Sequence, residues 1–188
     1  MRIIAGIARG RRLKSGAGRS TRPTSDRVRQ VLFDTLAPRL AGATFLDLYA
    51  GFGSVGLEAL SRGAGRVVFV EGRRKCCDLI AENLRLLALP GRGEVICREV
   101  GKALARLHRA GETFCLIFAD PPYRTGQAAA CLGWLGEQAS LLAAGGLVII
   151  QHHVWEELAE CQGSLARSRQ RRVGETQLSF YRVHEEAW

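Results

Sequence analysis

The sequence predicts an α/β protein with a Rossmann-like arrangement, in which helices cover a mainly parallel sheet and an antiparallel hairpin closes it. From residue 44 onward short apolar runs alternate with helical patterns, which is typical of parallel strands joined by helical crossovers. A glycine-rich turn follows the first predicted strand, and two strand-like segments joined by a turn end the pattern. A length of 188 residues with 47% apolar content suits one such domain.

Each element has its own local pattern. Pro23-Thr24-Ser25 gives a stop and a helix cap, and apolar residues then recur at helical spacing until Pro38. We expect strands over 44–49, 67–71, 94–100, 114–119 and 147–151. We expect helices over 55–62, 75–89, 102–108 and 127–142. The closing hairpin is expected over 165–172 and 176–183.

Positive charge is concentrated at the amino end of the chain. Residues 1–30 supply eight of the nine net positive charges, and a second arginine cluster lies in 167–172. We therefore divide the chain into a small basic hairpin arm outside the core, residues 1–21, and a domain over 22–188. The clusters are either solvated faces or phosphate-binding surfaces, and their localisation favours phosphate binding. The expected nucleic-acid contacts are Arg9, Arg11, Arg12, Arg22, Arg27, Arg169 and Arg171.

Other classes of site are disfavoured by composition. No apolar run approaches the roughly 18 residues of a membrane helix, and the amino terminus lacks a signal-peptide core, so we expect a cytoplasmic protein. The six cysteines form no CxxC pair, and we expect buried free thiols. The histidines are isolated or direct sequence neighbours, so no metal site is expected.

The glycine-rich turn predicts a nucleotide-type cofactor site. It contains Gly51 and Gly53, and Glu71 ends the next strand, where a carboxylate can accept hydrogen bonds from ribose hydroxyls. Dinucleotide oxidoreductases and methyltransferases share this arrangement. Asp47 favours the cationic S-adenosylmethionine over a pyrophosphate, and its alternative role is to cap the end of the strand. The expected cofactor contacts are Asp47, Tyr49, Ala50, Gly51, Gly53, Glu71 and Gly72.

Asp120-Pro121-Pro122-Tyr123 follows an almost wholly apolar strand, at the sheet edge where ligands bind. Asp120 and the Pro121 carbonyl can each accept an N–H of an exocyclic amino group, and Tyr123 can stack on the base. We predict that Asp120, Pro121 and Tyr123 are the catalytic group for methylation of such an amino group. A proline-rich turn capped by an aspartate is the structural alternative.

At these residues the chain resembles the amino-group methyltransferases, and over nearly its whole length it is similar to the bacterial small-subunit ribosomal RNA guanine-N2 methyltransferases. The matching segments are 1–6, 10–13, 22–29, 46–51 and 174–181. The resemblance implies a class I methyltransferase fold with S-adenosylmethionine as the cofactor. It also implies methyl transfer to N2 of one guanine in 16S rRNA, within the small ribosomal subunit.

The resemblance leaves some contacts open. Arg22 and Thr24 are expected at either the methionine carboxylate of the cofactor or the RNA. Relatives often carry a polar residue after the third strand, where this chain has Val100, so the cofactor's adenine contacts either backbone at Val100 or Glu99. We expect a monomer that binds 16S rRNA and no membrane.

Three other functions are compatible with parts of the pattern. An NAD-dependent oxidoreductase would use the same glycine-rich turn. A noncatalytic ribosome-assembly factor would use only the basic residues. An adenine-N6 methyltransferase acting on DNA or RNA would share the Asp-Pro-Pro-Tyr motif.

Overall fold

The computed structural model describes residues 1–16 and 24–184. These residues form an α/β domain with one eight-stranded sheet. The strands are β1 (Thr44–Leu48), β2 (Arg66–Glu71), β3 (Gly93–Cys97), β4 (Phe114–Ala119), β5 (Leu142–His153), β6 (Cys161–Gln162), β7 (Leu165–Val173) and β8 (Thr176–Val183). The α-helices are α1 (Asp26–Leu40), α2 (Ser54–Ser61), α3 (Arg74–Leu86), α4 (Val100–Arg109) and α5 (Gln127–Glu137).

The strand order is β3-β2-β1-β4-β5-β8-β7-β6, and β1 to β5 pair in parallel. β8 pairs antiparallel with both β5 and β7, which gives the closing hairpin. The direction of strand succession reverses between β1 and β4. In open α/β sheets this switch point, at the carboxyl ends of the strands, is where ligands bind. The fold class predicted from the sequence is confirmed.

Both faces of the sheet are covered by apolar helix surfaces. On one face Phe33 of α1 and Ile80 of α3 pack with strand residues such as Phe69 in one buried cluster. On the other face Leu104 of α4 and Leu132 of α5 belong to a second cluster. This two-sided burial explains why the central strands are apolar throughout and show no alternation.

Several predicted boundaries differ from the structure. Helix α1 continues past Pro38, because a proline in the last turn removes little of the helix hydrogen bonding. The third strand, expected over 94–100, ends at Cys97, and Val100 begins α4. Helix α5, expected to reach residue 142, ends at Glu137, and β5, expected from residue 147, begins at Leu142. The pairing of β5 with β4 shifts register there, so the glycines at 145 and 146 lie in an irregular stretch of strand.

The amino-terminal hairpin, residues 1–16, packs on the domain. Its ends are joined by the Arg2–Arg12 bridge, and Ile3, Ala8 and Leu13 are buried in the same cluster as α1 and α2. The expectation that this segment lies outside the core is therefore wrong for these residues. Its polar face remains exposed, including the arginines at positions 9, 11 and 12.

Glu58 of α2 is the main polar anchor of the hairpin. Its fully buried carboxylate accepts the backbone N–H of Ile4 at 2.8 Å and that of Ala5 at 3.0 Å. Arg62 pairs with it at 2.7 Å, and Arg29 lies 3.6 Å away. Arg29 also donates to the carbonyl of Arg2. Arg29 is thus buried and paired, so it contributes charge to the basic stretch but no exposed cation.

Within the described part of the chain, no helix is long and apolar enough to cross a membrane. The described residues also contain no group of three or more histidine, cysteine or carboxylate side chains placed to hold a metal ion. All six cysteines are free. Cys97 and Cys161 are exposed, so the expectation of burial is wrong for those two.

Candidate functional site

A cavity of about 840 Å³ opens at the carboxyl ends of β1 and β4. This volume lies within the range of ligand and cofactor sites. The cavity joins the glycine-rich turn to the Asp-Pro-Pro-Tyr segment, which are about 70 residues apart in the chain. The predicted cofactor and catalytic residues that line the cavity are Tyr49, Ala50, Gly51, Glu71, Asp120, Pro121 and Tyr123.

The glycine loop, residues 49–54, turns tightly between β1 and α2. Gly51 and Gly53 have φ of +56° and +80°, a region that L side chains rarely adopt. Tyr49 is also left-handed, with φ of +57°, an unusual conformation for a tyrosine. A Cβ on Gly53 would lie 3.1 Å from the Ile80 side chain, so both the space and the backbone angle favour glycine there.

Glu71 ends β2 at the floor of the cavity. Its Oε2 accepts the N–H of Gly51 at 2.8 Å, which ties the glycine loop to β2. Its Oε1 accepts both the backbone N–H and the Nε–H of Arg73, each at 2.9 Å. The carboxylate is therefore oriented by the protein, and a ribose hydroxyl would share it with Arg73.

Asp47 is 2% exposed and does not line the cavity. Its Oδ2 accepts the N–H of Gly56 at 2.8 Å, in the first turn of α2. The pKa of Asp47 is raised to about 8, mainly by burial; the charges of Asp120 and Glu71 add to this rise, and the hydrogen bond from Gly56 opposes it. Asp47 thus supports the helix behind the loop, and a cationic ligand in the cavity would favour the ionised forms of Asp47 and Asp120, which burial disfavours. Its direct contact with the cofactor stays a prediction.

Asp120 is held by two side-chain donors. Thr24 Oγ1 donates to Oδ2 at 2.9 Å, and Gln151 Nε2 donates to Oδ1 at 2.8 Å. Burial raises the pKa of Asp120 to about 7, and the two hydrogen bonds partly oppose that rise. The strand register explains the contact with Gln151, because Ala119 pairs with Ile150 and the next residue of each strand follows. The carboxyl group is therefore positioned before any substrate binds.

The side chain of Tyr123 is held through its hydroxyl and through its ring. Its hydroxyl lies 3.3 Å from Thr176 Oγ1 and receives a 3.1 Å hydrogen bond from Gln151 Nε2. The ring meets the His153 ring edge-on at 5.9 Å between centroids. An aromatic ring oriented in this way at the cavity wall can stack on a base.

The closing hairpin reaches the cavity through its turn. Val173, Gly174, Glu175 and Thr176 line the cavity, and β7, which carries exposed arginines, leads away from this turn. Among the predicted nucleic-acid contacts, the exposed ones are Arg9, Arg11, Arg12, Arg27, Arg169 and Arg171. The remaining member, Arg22, lies outside the described residues. The contacts of all seven with nucleic acid stay predictions.

Besides Asp47, three predicted cofactor contacts lie away from the cavity lining. Gly53 and Gly72 do not line it, and Val100 is buried in the core at the start of α4. Glu99, the alternative for the adenine contact, accepts the N–H of Gly101 and caps α4. The identity of the residue that contacts the adenine stays a prediction.

Gln151 is missed by sequence reasoning, which gives it only as the end of a strand. Arg73 beside Glu71 is also missed, as are Thr176 and His153 around Tyr123. Gln151 has a usable signal, since it is the first polar residue after an apolar run next to the Asp-Pro-Pro-Tyr strand. The other three have none, because nothing local in the sequence indicates that they approach the cavity.

Comparison with known proteins places the chain in a family. A family model described as conserved hypothetical protein 95 matches residues 1–182. The chain belongs to this family. It is 36% identical to the putative rRNA methyltransferase YlbH of Bacillus subtilis over 97% of this chain and 98% of that protein.

Two further matches to this chain come from Escherichia coli. Ribosomal RNA small subunit methyltransferase D of strain K12 is 33% identical over 96% of this chain and 89% of that protein. The solved structure of the putative methyltransferase yhhF has a TM-score of 0.84 with 33% identity, covering 96% of each chain. The family predicted from the sequence is confirmed.

Proposed function

We propose that this chain transfers a methyl group from S-adenosylmethionine to the exocyclic N2 of one guanine in the 16S rRNA of the small ribosomal subunit. The coarser function, a methyltransferase acting on ribosomal RNA, follows from family membership and from relatives similar over nearly the whole chain. The observation that carries the proposal is that one cavity contains both Glu71 and Asp120. Such a substrate also places the protein in the cytoplasm, where we propose that it acts as a monomer.

The residues at the loop end of the cavity fit the cofactor. The glycine loop brings backbone close to a ligand, and Glu71 offers an oriented carboxylate for ribose hydroxyls. Asp120 lines the cavity, and a ligand that carries positive charge would favour the ionised form of its carboxyl group. S-adenosylmethionine, when bound, supplies an electrophilic methyl group on a sulfonium.

Asp120 acts on the exocyclic amino group that receives the methyl group. The lone pair of an exocyclic amino group is delocalised into the base, so the nitrogen must pyramidalise to become a nucleophile. Asp120 and the Pro121 carbonyl each accept one N–H, which favours that geometry and stabilises the positive charge that develops on nitrogen. Because burial raises the pKa of Asp120 to about 7, its carboxylate can also take the proton released at near-neutral pH.

Tyr123 and the basic surfaces deliver the base. The ring of Tyr123, oriented by Thr176 and Gln151, stacks on a guanine that has left its helix or loop. The exposed arginines of the amino-terminal hairpin and of β7 bind RNA phosphates. The cavity itself carries less positive charge and stays available for the cationic cofactor.

Methyl transfer to small subunits tests this function. Subunits from cells that lack the protein are incubated with labelled S-adenosylmethionine and the purified protein, and their nucleosides are analysed by mass spectrometry. We expect new N2-methylguanosine, which Asp120→Ala abolishes. Label in N6-methyladenosine would contradict the guanine assignment and retain the mechanism. The absence of label, with cofactor binding confirmed by thermal shift, would contradict the ribosomal substrate.

A further inference from the structure

Gln151 holds a buried acceptor with no partner. The side chain is 3% exposed and lines the cavity beside Asp120 and Tyr123. Its Nε2 makes both hydrogen bonds of the amide, while Oε1 has no partner among the described residues. A buried carbonyl without a hydrogen bond is costly, and buried polar groups are nearly always paired. This atom is therefore a candidate contact for a ligand.

The orientation of the Gln151 amide follows from its neighbour. When Asp120 is ionised, its carboxylate is only an acceptor, so the amide presents Nε2 to it. Rotating the amide by half a turn would place Oε1 against the carboxylate and lose that hydrogen bond. Oε1 is thus left as a second acceptor, on the side chain that hydrogen-bonds Asp120.

We propose that Gln151 Oε1 accepts the N1–H of the target guanine and makes Gln151 the residue that selects guanine over adenine. This inference rests on the function proposed above and assigns its base specificity. In guanine the ring nitrogen N1, next to the N2-bearing carbon, carries a hydrogen. In adenine the ring nitrogen N1, next to the N6-bearing carbon, carries a lone pair. Two neighbouring acceptors, Asp120 and Gln151, therefore match two neighbouring donors of guanine and repel the adenine edge.

The same contact explains a selectivity that the Asp-Pro-Pro-Tyr motif does not provide. Asp120 and the Pro121 carbonyl address only the amino group, which guanine and adenine share. Gln151 adds a requirement on the adjacent ring nitrogen. When the wrong base binds, the buried acceptor has no hydrogen-bond partner. Such a site discriminates between two bases more strongly than a site in which the bases differ only in apolar contact.

The test replaces the target guanine by 2-aminopurine, which keeps the N2 amino group and lacks both the N1 hydrogen and O6; the Gln151 variants below separate these two losses. Subunits are reconstituted with this base at the position that the protein methylates, and kcat/KM is compared with that for guanine. We expect kcat/KM for 2-aminopurine to be lower by about 10- to 100-fold, the effect of one unpaired buried acceptor. Equal values for the two bases would overturn the role of Gln151 and leave the proposed function intact. Methylation of adenine and not guanine in native subunits would overturn both.

Variants separate base selection from a purely structural role of Gln151. Gln151→Met removes the acceptor with little change in size, so the preference for guanine over 2-aminopurine should fall to about one. Gln151→Glu keeps an acceptor oxygen and should keep the preference, although its charge beside Asp120 lowers the rate. The matched control is Gln127→Met on the exposed start of α5, which should retain both the rate and the preference. A Gln151→Met protein that is slower but still prefers guanine would contradict the proposal. If that variant does not fold, equal kcat/KM values for the two bases with the wild-type protein would still overturn the proposal.

Discussion

Replacing Gly6 by alanine should move the neighbouring part of the amino-terminal hairpin away from Ser61 of α2. Gly6 has φ of +82°, and a Cβ placed on it would lie 1.9 Å from the backbone oxygen of Ser61. Backbone cannot yield as a flexible side chain can, so the hairpin must move away. That movement breaks three hydrogen bonds with Ser61, made by the N–H groups of Ile7 and Ala8 and by the carbonyl of Ala5.

The expected cost follows from these contacts. Alanine at positive φ costs about 1 kcal/mol, and the three hydrogen bonds contribute about 1 kcal/mol each. Gly6→Ala should therefore lower the free energy of unfolding by about 4 kcal/mol, measured by urea denaturation. Gly10→Ala is the matched control, because Gly10 has φ of +80° in the same hairpin and a Cβ placed on it would meet no atom within 4 Å. The control should cost about 1 kcal/mol. Equal losses in the two variants would show that close backbone contact does not hold the hairpin.

Further predictions concern the reaction and the RNA. Because burial raises the pKa of Asp120 to about 7, protonation at lower pH removes the negative charge that stabilises the developing positive charge and takes the released proton, and kcat/KM should fall about tenfold per pH unit below that pKa. Asp120→Asn should abolish turnover and keep cofactor affinity, and loss of cofactor binding would contradict its role. Tyr123→Phe should retain most activity, whereas Tyr123→Ala should lose the stacking energy of about 1 to 3 kcal/mol, seen as a higher KM or a lower kcat. Replacing Arg169 and Arg171 by glutamine should reduce the slope of log K against log salt by about 0.7 for each lost phosphate contact with single-stranded RNA. An unchanged slope would exclude them as phosphate contacts, and Arg109→Gln on α4 is the control.

The sheet can be predicted from the sequence because its central strands are continuous apolar runs with clear ends. The strand Phe114–Ala119 has the predicted bounds, since Asp120 and two prolines end it sharply. The helix cap at Ser25 is also as predicted, with Oγ accepting the N–H of Val28. These features depend on local chemistry, which a single sequence contains.

The features that sequence reasoning misses depend on tertiary contacts. Nothing near Glu58 in the sequence indicates that its carboxylate anchors backbone from residues 4 and 5. For Thr24 the sequence leaves two partners open, and the structure gives a third, the carboxylate of Asp120. The sequence predicts that Asp47 contacts the cofactor. In the structure its carboxyl group accepts the backbone N–H of Gly56, a contact that depends on how the glycine loop folds. In each case the sequence identifies a polar residue and does not indicate its partner.

The measurement that tests the central claim most directly is a crystal structure of the protein with S-adenosylhomocysteine. We expect the ligand to occupy the cavity between the glycine loop and Tyr123. Its ribose hydroxyls should bind Glu71, and its sulfur should face Asp120 with space for a base between them. A ligand bound outside this cavity, or one whose sulfur is turned away from Asp120, would contradict the claim that cofactor and base meet in one site.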